Sequence, residues 1–251
     1  MDTPLRPKRL SSQALLAASA VALSVLSVPG VVQAQQSSTA ELPIAVQMYT
    51  LRDFGNLEEQ LAAVNRAGIS AIETVGTQDV TAEELNALLE EHALEVISSH
   101  VQLDDLRNRL DETVAFNQAV GNDTLTVPYL AEDARPSDAE GWQALGKELG
   151  DIAAELDAEG FRLAYHNHDF EMEVYDGKTA LEHLFDAAGS DLLAELDIAW
   201  VVRGGFDPVE YVSRFDGQLF AVHAKDNAPE GTAEEEGGFA TLGEGVLDWD
   251  A

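Results

Sequence analysis

Short apolar runs alternate along this chain with longer stretches whose apolar positions recur at helical spacing. Helical spacing is present in NLEEQLAAVNRAG, TAEELNALLEEHA and GWQALGKELGDIAAELDAEG, each of which ends in glycine or alanine. Repeated strand-helix-strand order predicts a parallel sheet whose strands are connected by helices. The runs that predict strands are IAVQMYT (44–50), AIETV (71–75), LEVISSHV (94–101), TLTVPYL (124–130), FRLAYHNH (161–168), LLAELDIAWVV (192–202) and LFAVHAKD (219–226).

The number and spacing of these units favour a closed barrel over an open, doubly wound sheet. Seven β/α units follow one another at a pitch of about 25 to 40 residues, as in (β/α)8 barrels. No G-x-G-x-x-G turn follows the first strand, and such a turn is typical of dinucleotide-binding sheets. No eighth strand is evident in the printed sequence. The predicted fold class is therefore α/β, a TIM (β/α)8-type barrel that is truncated before strand 8.

The first part of the chain has the pattern of an export signal. A basic start is followed by small and apolar residues over 14–32, and the small-x-small sequence VQA ends at Ala34. We expect residues 1–34 to be a signal peptide and residues 35–251 to form one C-terminally incomplete barrel domain. An uncleaved anchor is the alternative, but serine, proline and glycine dilute the apolar stretch. The protein would be periplasmic or secreted, with no stable membrane insertion after cleavage.

Composition limits the partners and ligands of the protein. The chain carries 46 acidic against 14 basic residues, a formal net charge of −32. Such a surface repels phosphate backbones and anionic membranes, which argues against nucleic acid as a partner. The charge fits either salty surroundings or simply an acidic exported protein. Because the chain has no cysteine, a metal site must use histidine, aspartate, glutamate or water.

Polar residues stand at the ends of most predicted strands, where parallel barrels carry their chemistry. Side chains two positions apart on a strand share a face, so His166 and His168 should point the same way, as should His223 and Lys225. One imidazole could then bind a metal while the other acts as a base or contacts substrate. The strand-end residues are Gln47, Tyr49, Glu73, His100, His166, His168, Glu171, Asp197, Trp200, His223, Lys225 and Asp226.

An acidic residue within an otherwise apolar strand indicates a metal site. Asp197 lies in ELDIAW, where a charge is costly to bury without a partner. A divalent cation shared with His166 and His223 would supply that partner and leave positions open for substrate oxygens. We predict a site for Mn, Mg, Zn or Co whose ligands are His166, Asp197 and His223.

Five other residues at the strand ends are predicted to contact substrate, and three of them have a clear structural alternative. His100 could be a hydrogen-bonded core histidine, and Glu73 could form a salt bridge at the rim. Trp200 could stack on a sugar ring or simply fill the mouth of the barrel. The predicted contacts are Gln47, Tyr49, Glu73, His100 and Trp200.

Five motifs carry a family likeness in their order and spacing. VQMYTLRD, YHNHDFE, ELDIAW, VHAKD and LGEGVLDW together resemble the sugar phosphate isomerase/epimerase family of xylose isomerase-like barrels, over about residues 44–249. The resemblance implies a TIM barrel with one divalent cation, held by acidic and histidine ligands at the ends of strands 5 to 8. It assigns Asp197 to strand 6 and His223 to strand 7.

The resemblance also shows two departures from the family pattern. Many relatives have a glutamate where His166 aligns, and Glu171 is then an alternative ligand. The glutamate of strand 8 has no counterpart here, and Glu244 in LGEG belongs to an earlier loop. We therefore expect the 251 residues to be a fragment of a longer product, with one carboxylate fewer at the metal than in the family.

The resemblance implies a sugar isomerase or epimerase that uses a metal to abstract a proton. The cation would chelate adjacent carbonyl and hydroxyl oxygens and acidify the neighbouring C–H bond. His168, Glu171 or the missing strand 8 glutamate could remove that proton to form an enediolate, and Lys225 would offset the negative charge. The expected substrate is a small sugar or glycoside rather than a phosphorylated metabolite.

Other functions remain alternatives at this point. Removal of the same proton can expel an oxygen-linked group, as in a lyase or hydratase that acts on keto-glycosides. A catalytically inactive sugar-binding fragment would keep the polar rim without needing the metal. A related group of DNA-repair endonucleases needs a basic groove and a larger metal cluster, and the charge of this chain does not provide the groove. A homo-oligomer is compatible with the sequence.

Overall fold

The structure, a computed structural model, describes residues 43–250. The predicted signal peptide over 1–34 lies outside these residues. Within them, no helix has both the length and the apolar character needed to cross a membrane. The described residues belong to one compact unit, Pro43–Ala251.

Seven strands form one sheet in which every neighbouring pair is parallel. Their order is β1-β2-β3-β4-β5-β8-β9, and two short antiparallel hairpins, β6-β7 and β10-β11, lie in the connections. The sheet is a half-barrel, which confirms the predicted fold class. The strands are β1 (Ala45–Gln47), β2 (Ala71–Val75), β3 (Glu95–His100), β4 (Thr124–Val127), β5 (Arg162–His166), β6 (Val174–Tyr175), β7 (Lys178–Thr179), β8 (Leu192–Asp197), β9 (Leu219–His223), β10 (Asp226–Asn227) and β11 (Phe239–Ala240).

Helices connect the strands and begin at capping residues encoded in the sequence. Asn56, Thr81 and Thr179 each accept a backbone N–H bond, while the glutamate three residues further on bonds back to the cap. The helices are α1 (Leu57–Arg66), α2 (Ala82–His92), α3 (Leu103–Asn108), α4 (Leu110–Ala119), α5 (Ala139–Asp157), α6 (Ala180–Ala188), α7 (Ile198–Arg203) and α8 (Pro208–Arg214).

The sheet curls so that side chains from its second and seventh strands meet on the concave face. Glu73 Oε1 on β2 lies 3.1 Å from His223 Nε2 on β9. The opposite face packs against the helices through buried residues such as Leu125 and Leu163. Within residues 43–250 no strand pairs with β1 and β9 across the remaining gap, so the sheet has the seven strands predicted. The curl therefore brings functional groups from distant parts of the chain together.

Several strands are shorter than the apolar runs that predicted them. β1 ends at Gln47, and Tyr49 lies in the 3-10 turn Met48–Leu51 that follows it. The run 192–202 is a strand only as far as Asp197, because the Asp197 Oδ1 accepts bonds from the amides of Ala199 and Trp200 and starts α7. Placing Tyr49 and Trp200 on strands was therefore wrong.

Glycines allow α5 and α6 to approach each other closely. A Cβ atom on Gly146 would overlap the carbonyl oxygen of Leu184, and one on Gly150 would overlap that of Ala188. Both contacts are with backbone, which cannot move away as the end of a side chain can. The packing of these two helices therefore depends on the absence of side chains at both positions.

We expect Gly146→Ala to lower the free energy of unfolding by about 1–3 kcal/mol, although alanine favours helix formation. The overlap with Leu184 forces the helices apart, and urea unfolding measures the loss. The matched control is Lys147→Ala on the same helix. Its side chain is 71% exposed and pairs with the exposed Asp151, so we expect a change within about 0.5 kcal/mol. Equal stability of Gly146→Ala and the wild type would contradict this packing.

Candidate metal centre and active site

A layer of polar side chains lines the concave face of the sheet at the carboxyl ends of its strands. The carboxyl ends of parallel strands meet at one edge, so these groups converge although they are far apart in sequence. The layer includes hydrogen-bond contacts between neighbouring groups, such as Gln47 Nε2 at 3.0 Å from His100 Nδ1. Its members are Gln47 (β1), Glu73 (β2), His100 (β3), His166 (β5), Glu195 (β8) and His223 (β9).

Four of these side chains could hold a metal ion. One potential ligand atom from each of His100, His166, Glu195 and His223 lies within 4.8 Å of the others. Glu195 Oε2 lies 2.9 Å from His100 Nε2, 3.2 Å from His166 Nδ1 and 3.3 Å from His223 Nε2. Donor atoms that bind one zinc ion at about 2.0–2.1 Å lie about 3.3 Å apart in a tetrahedron. The spacing around Glu195 therefore fits a single small cation.

Two buried atoms of this group have no hydrogen-bond partner among the described residues, namely His166 Nδ1 and Glu195 Oε1. Buried polar atoms are normally bonded, because an unsatisfied one loses its hydration without replacement. A cation at this position would contact the imidazole nitrogen and the carboxylate directly. The donor set of three imidazoles and one carboxylate is therefore chemically suited to a divalent metal.

Charges within the layer are strongly coupled. Burial opposes a charge on His100, but Glu73 and Glu195, each with an oxygen 2.9 Å from His100 Nε2, raise its pKa to about 10. Burial also opposes ionisation of Glu73, yet the charge of His100 holds the Glu73 pKa well below its ordinary value. Burial and the charge of Glu73 raise the Glu195 pKa to about 7. A proton on His100 Nε2 and a metal at the same nitrogen are alternatives.

The other two histidines of the group differ in charge. Burial, together with the charges of His223 and His100, lowers the His166 pKa well below its ordinary value, so this imidazole is neutral and ready to bind metal. Burial also disfavours a charge on His223, but Glu195 and Glu73 outweigh it and raise the His223 pKa. The two rings are close, with centroids 4.5 Å apart.

Asp197 does not belong to the four-residue group, although it was predicted as a ligand. It ends β8, where Oδ1 caps α7 and Oδ2 lies 3.5 Å from Lys225 Nζ. Burial raises the Asp197 pKa against the opposing charge of Lys225. Glu195, two residues earlier on the same face of β8, lies among the imidazoles. Asp197 Oδ2 is also buried without a hydrogen-bond partner among residues 43–250, and the role of Asp197 as a ligand stays a prediction. The structure thus brings His166 and His223 together and adds His100 and Glu195.

His168 lies just beyond the end of β5 at the mouth of the half-barrel, not on the strand as predicted. Its ring centroid is 5.0 Å from that of His166 and 5.1 Å from that of Trp200. Burial, followed by the positive charges of Lys225 and Arg135, lowers the His168 pKa to about 3. The imidazole is therefore neutral, and its Nδ1 has no hydrogen-bond partner among residues 43–250.

Glu171 holds the backbone that carries His168. It is completely buried, and its carboxylate accepts one bond from the Tyr165 hydroxyl at 2.8 Å and another from the His168 amide at 2.7 Å. Burial raises the Glu171 pKa to about 7. Tyr165 is part of the buried core cluster, which ties Glu171 to the interior of the protein. These contacts give Glu171 a structural role, and its catalytic role stays a prediction.

The remaining predicted residues surround the mouth. Tyr49 is 57% exposed, and the Arg52 guanidinium lies over its ring. Trp200 lies in the first turn of α7, with its ring centroid 5.2 Å from Lys225 Nζ. Lys225 follows β9 rather than lying on it, and burial lowers its pKa. Glu73, for which a substrate contact and a salt bridge were the predicted alternatives, bonds to His223 and His100 inside the layer, and its contact with substrate stays a prediction.

A curled parallel sheet with a His/Glu cluster at its carboxyl edge is the arrangement of a TIM-barrel protein. The chain belongs to the xylose isomerase-like TIM barrel family, whose model matches residues 61–251. This membership and the names of several similar solved structures confirm the resemblance seen in the five motifs. No curated protein sequence matches the chain.

Solved structures share the fold at low sequence identity. A sugar phosphate isomerase/epimerase from Parabacteroides distasonis ATCC 8503 is 18% identical with a TM-score of 0.65, over 82% of this chain and 82% of that one. The probable 3-DHS dehydratase AsbF from Bacillus anthracis is 15% identical with a TM-score of 0.62, over 83% and 86%. An AP endonuclease of family 2 from Brucella melitensis is 13% identical with a TM-score of 0.62, over 83% and 86%. At these identities the likeness shows the fold alone.

We expect Glu171→Gln to lower the free energy of unfolding by about 1–3 kcal/mol. The amide group of glutamine must face either the Tyr165 hydroxyl or the His168 amide, and it can accept from only one of them. Urea unfolding measures the effect, with the exposed Glu132→Gln as the control for loss of one charge. A Glu171→Gln variant as stable as the control would show that the two bonds do not hold this loop.

Proposed function

We propose that this protein is a sugar isomerase or epimerase that holds one divalent cation at the carboxyl edge of the sheet. The observation that carries the proposal is the convergence of ligand atoms from His100, His166, Glu195 and His223. Family membership supports an enzyme that acts on a small molecule, and the structural relative named as a sugar phosphate isomerase/epimerase supports sugar as its class.

The proposed ligands are the three imidazoles and the Glu195 carboxylate. A divalent cation bound there would polarise the adjacent carbonyl and hydroxyl oxygens of a sugar. It would thereby acidify the C–H bond of the carbon that bears the hydroxyl group. Mn, Mg, Zn and Co were all predicted, and the excess of imidazole over carboxylate favours Zn, Co or Mn over Mg. Glu73 Oε1 lies 2.9 Å from His100 Nε2 and 3.1 Å from His223 Nε2, so a cation bound at these nitrogens would replace their hydrogen bonds to Glu73 and have this second carboxylate beside it.

His168 is the proposed base. Its neutral imidazole lies at the mouth, with its ring centroid 5.0 Å from that of His166, and would accept the proton from the substrate carbon. The electron pair of the broken C–H bond moves toward the carbonyl oxygen, where the Lys225 ammonium offsets the developing negative charge. Return of the proton to the neighbouring carbon gives an isomer, and its return to the opposite face of the same carbon gives an epimer.

A lyase or hydratase that acts on keto-glycosides is the second candidate. It would use the same proton removal, after which an oxygen-linked group leaves from the adjacent carbon. The structural relative named as a probable dehydratase supports this chemistry on a similar fold. The net charge of −32 argues against the DNA chemistry named for the endonuclease relative.

Export is part of the proposal and depends only on the pattern of residues 1–34. A periplasmic or secreted enzyme would meet free sugars and glycosides. N-terminal sequencing of the protein recovered from the periplasm or medium would test this, and we expect the mature chain to begin near Gln35. Recovery of the unprocessed chain from the cytoplasm alone would contradict it.

We expect the full chain to bind Zn or Mn at unit stoichiometry in isothermal titration, through the four proposed ligands. Glu195→Gln and His223→Ala should each weaken binding by at least about tenfold, because each removes a direct ligand. Asp197→Asn keeps the helix cap and should change affinity little. His92→Gln on α2 is the control for loss of a histidine away from the site.

This comparison also separates the two ligand sets. Loss of metal binding in Asp197→Asn together with retention in Glu195→Gln would favour the set predicted from the sequence and reject the one proposed here. Absence of binding by the wild-type chain would reject the metal centre and favour a sugar-binding function.

We expect proton exchange in deuterated water with at least one member of a panel of sugars and keto-glycosides. His168→Gln should lower the exchange rate by about 10²-fold or more, because it removes the base while keeping a polar side chain of similar size. NMR would identify the carbon that exchanges and thus distinguish isomerisation, epimerisation and elimination. Undiminished exchange in His168→Gln would exclude His168 as the base.

A further inference from the structure

The segment after β9 folds back and is fastened by one buried carboxylate. The Asp226 side chain accepts bonds from the amides of Gly243 and Gly245 at 3.0 Å each, from the amide of Leu247 at 3.1 Å, and from the Trp249 indole N–H at 2.9 Å. These four donors all come from the LGEGVLDW motif, for which the proposed function gives no role. Asp226 therefore holds residues 243–249 against the chain that follows β9.

A second side chain ties the same segment to α7. The Asn227 amide group donates to the carbonyl oxygen of Ala199 at 2.9 Å, while its Oδ1 accepts from Arg203 Nε at 2.7 Å. A Cβ atom on Gly245 would overlap the Asp226 carboxyl group and the Asn227 carbonyl oxygen. The glycine in this motif is thus explained by the close approach of the chain to its anchor.

The anchored segment places Phe239 against the lysine at the mouth. Phe239 on β11 pairs with Asn227 on β10. Its ring centroid lies 3.7 Å from Lys225 Nζ and 3.8 Å from Arg203 Cζ, and its ring meets Trp200 edge-on at 5.4 Å. An ammonium group at this distance from an aromatic ring is attracted by the negative charge of the ring face.

We propose that Phe239 is a positioning residue that holds the Lys225 ammonium at the mouth, and that Asp226 keeps Phe239 in place. The inference rests on the proposed function, in which Lys225 offsets charge on the substrate. The lysine side chain has a flexible four-carbon stem, and its carboxylate partner Asp197 is 3.5 Å away. The aromatic contact supplies the second constraint that fixes the ammonium group.

A purely structural role for Phe239 is disfavoured by its surroundings. The ring lies outside the two buried apolar clusters of the described chain and is only partly buried. Its close contacts are with two cations and an indole ring at the mouth. An aromatic residue that served only packing would gain more from apolar neighbours.

The test compares Phe239→Leu, which keeps the apolar volume, with Phe239→Tyr, which keeps the aromatic face. With the substrate that shows proton exchange, we expect Phe239→Leu to lower kcat about fivefold to tenfold with little change in KM, because the contact acts on developing charge. Phe239→Tyr should restore kcat. Leu242→Ala, at an exposed position of the same segment, is the control and should leave both constants unchanged.

A second readout reports on the lysine without requiring turnover. The full chain is treated with a trace amount of an amine-acylating reagent, and acylation of Lys225 is mapped by peptide mass spectrometry. We expect faster acylation of Lys225 in Phe239→Leu than in the wild type or in Phe239→Tyr, with Lys147 as the internal reference. Hydrogen exchange at the amides of residues 243, 245 and 247 should be unchanged in all three proteins.

Asp226→Asn tests the anchor. We expect faster exchange at those three amides, the same loss of kcat as in Phe239→Leu, and no further loss in the double variant, because both substitutions release the same lysine. Equal kcat values and equal Lys225 acylation in Phe239→Leu and the wild type would overturn the proposal. If no sugar shows exchange with the wild type, the proposed function fails, and the acylation result alone decides whether Phe239 positions Lys225.

Discussion

The contact between the Glu195 carboxylate and three imidazoles inside a curled sheet is the constraint on which the rest of the structure depends. Burying a carboxylate without compensation costs several kcal/mol, and here the compensation comes from residues on three other strands. Those strands must stay parallel, in register and strongly curled for the atoms to meet. The helices and their capping residues stabilise this curvature from the outside, and the chemistry of the protein lies on the inside.

The other polar residues have different roles, which depend on how far they lie from the group of His100, His166, Glu195 and His223. Glu73 contacts two of the imidazoles directly and sets their charge. Glu171 acts one step further away, through the backbone of His168. Asp226 acts further still, through the segment that carries Phe239 to Lys225. Glu195 and Asp197 on β8 differ in the same way. The five acidic side chains thus have different functions because each contacts a different part of the structure.

Much of the fold could be predicted, because alternating periodicity and repeated units depend on local sequence alone. The pairing of His166 with His223 could also be predicted, because both follow strands whose carboxyl ends share an edge. The contact of Glu195 with the imidazoles could not be predicted, since it depends on how β8 is placed in the curled sheet, whereas Asp197 ends this strand by capping α7. Glu195 and Asp197 are two positions apart on the strand and therefore lie on the same face. This spacing could have indicated that Glu195 also points toward the histidines. The contact of His100 with Glu195 could not be predicted either, because it depends on how strongly the sheet curls between β3 and β8.

The most direct test of the metal centre is a crystal structure of the full chain grown with Zn or Mn, with anomalous diffraction recorded at the absorption edge of the metal. The account requires one anomalous peak at about 2.0–2.3 Å from His100 Nε2, His166 Nδ1, Glu195 Oε2 and His223 Nε2. A peak bound by Asp197 while Glu195 stays outside the coordination sphere, or the absence of any peak in the half-barrel, would contradict it.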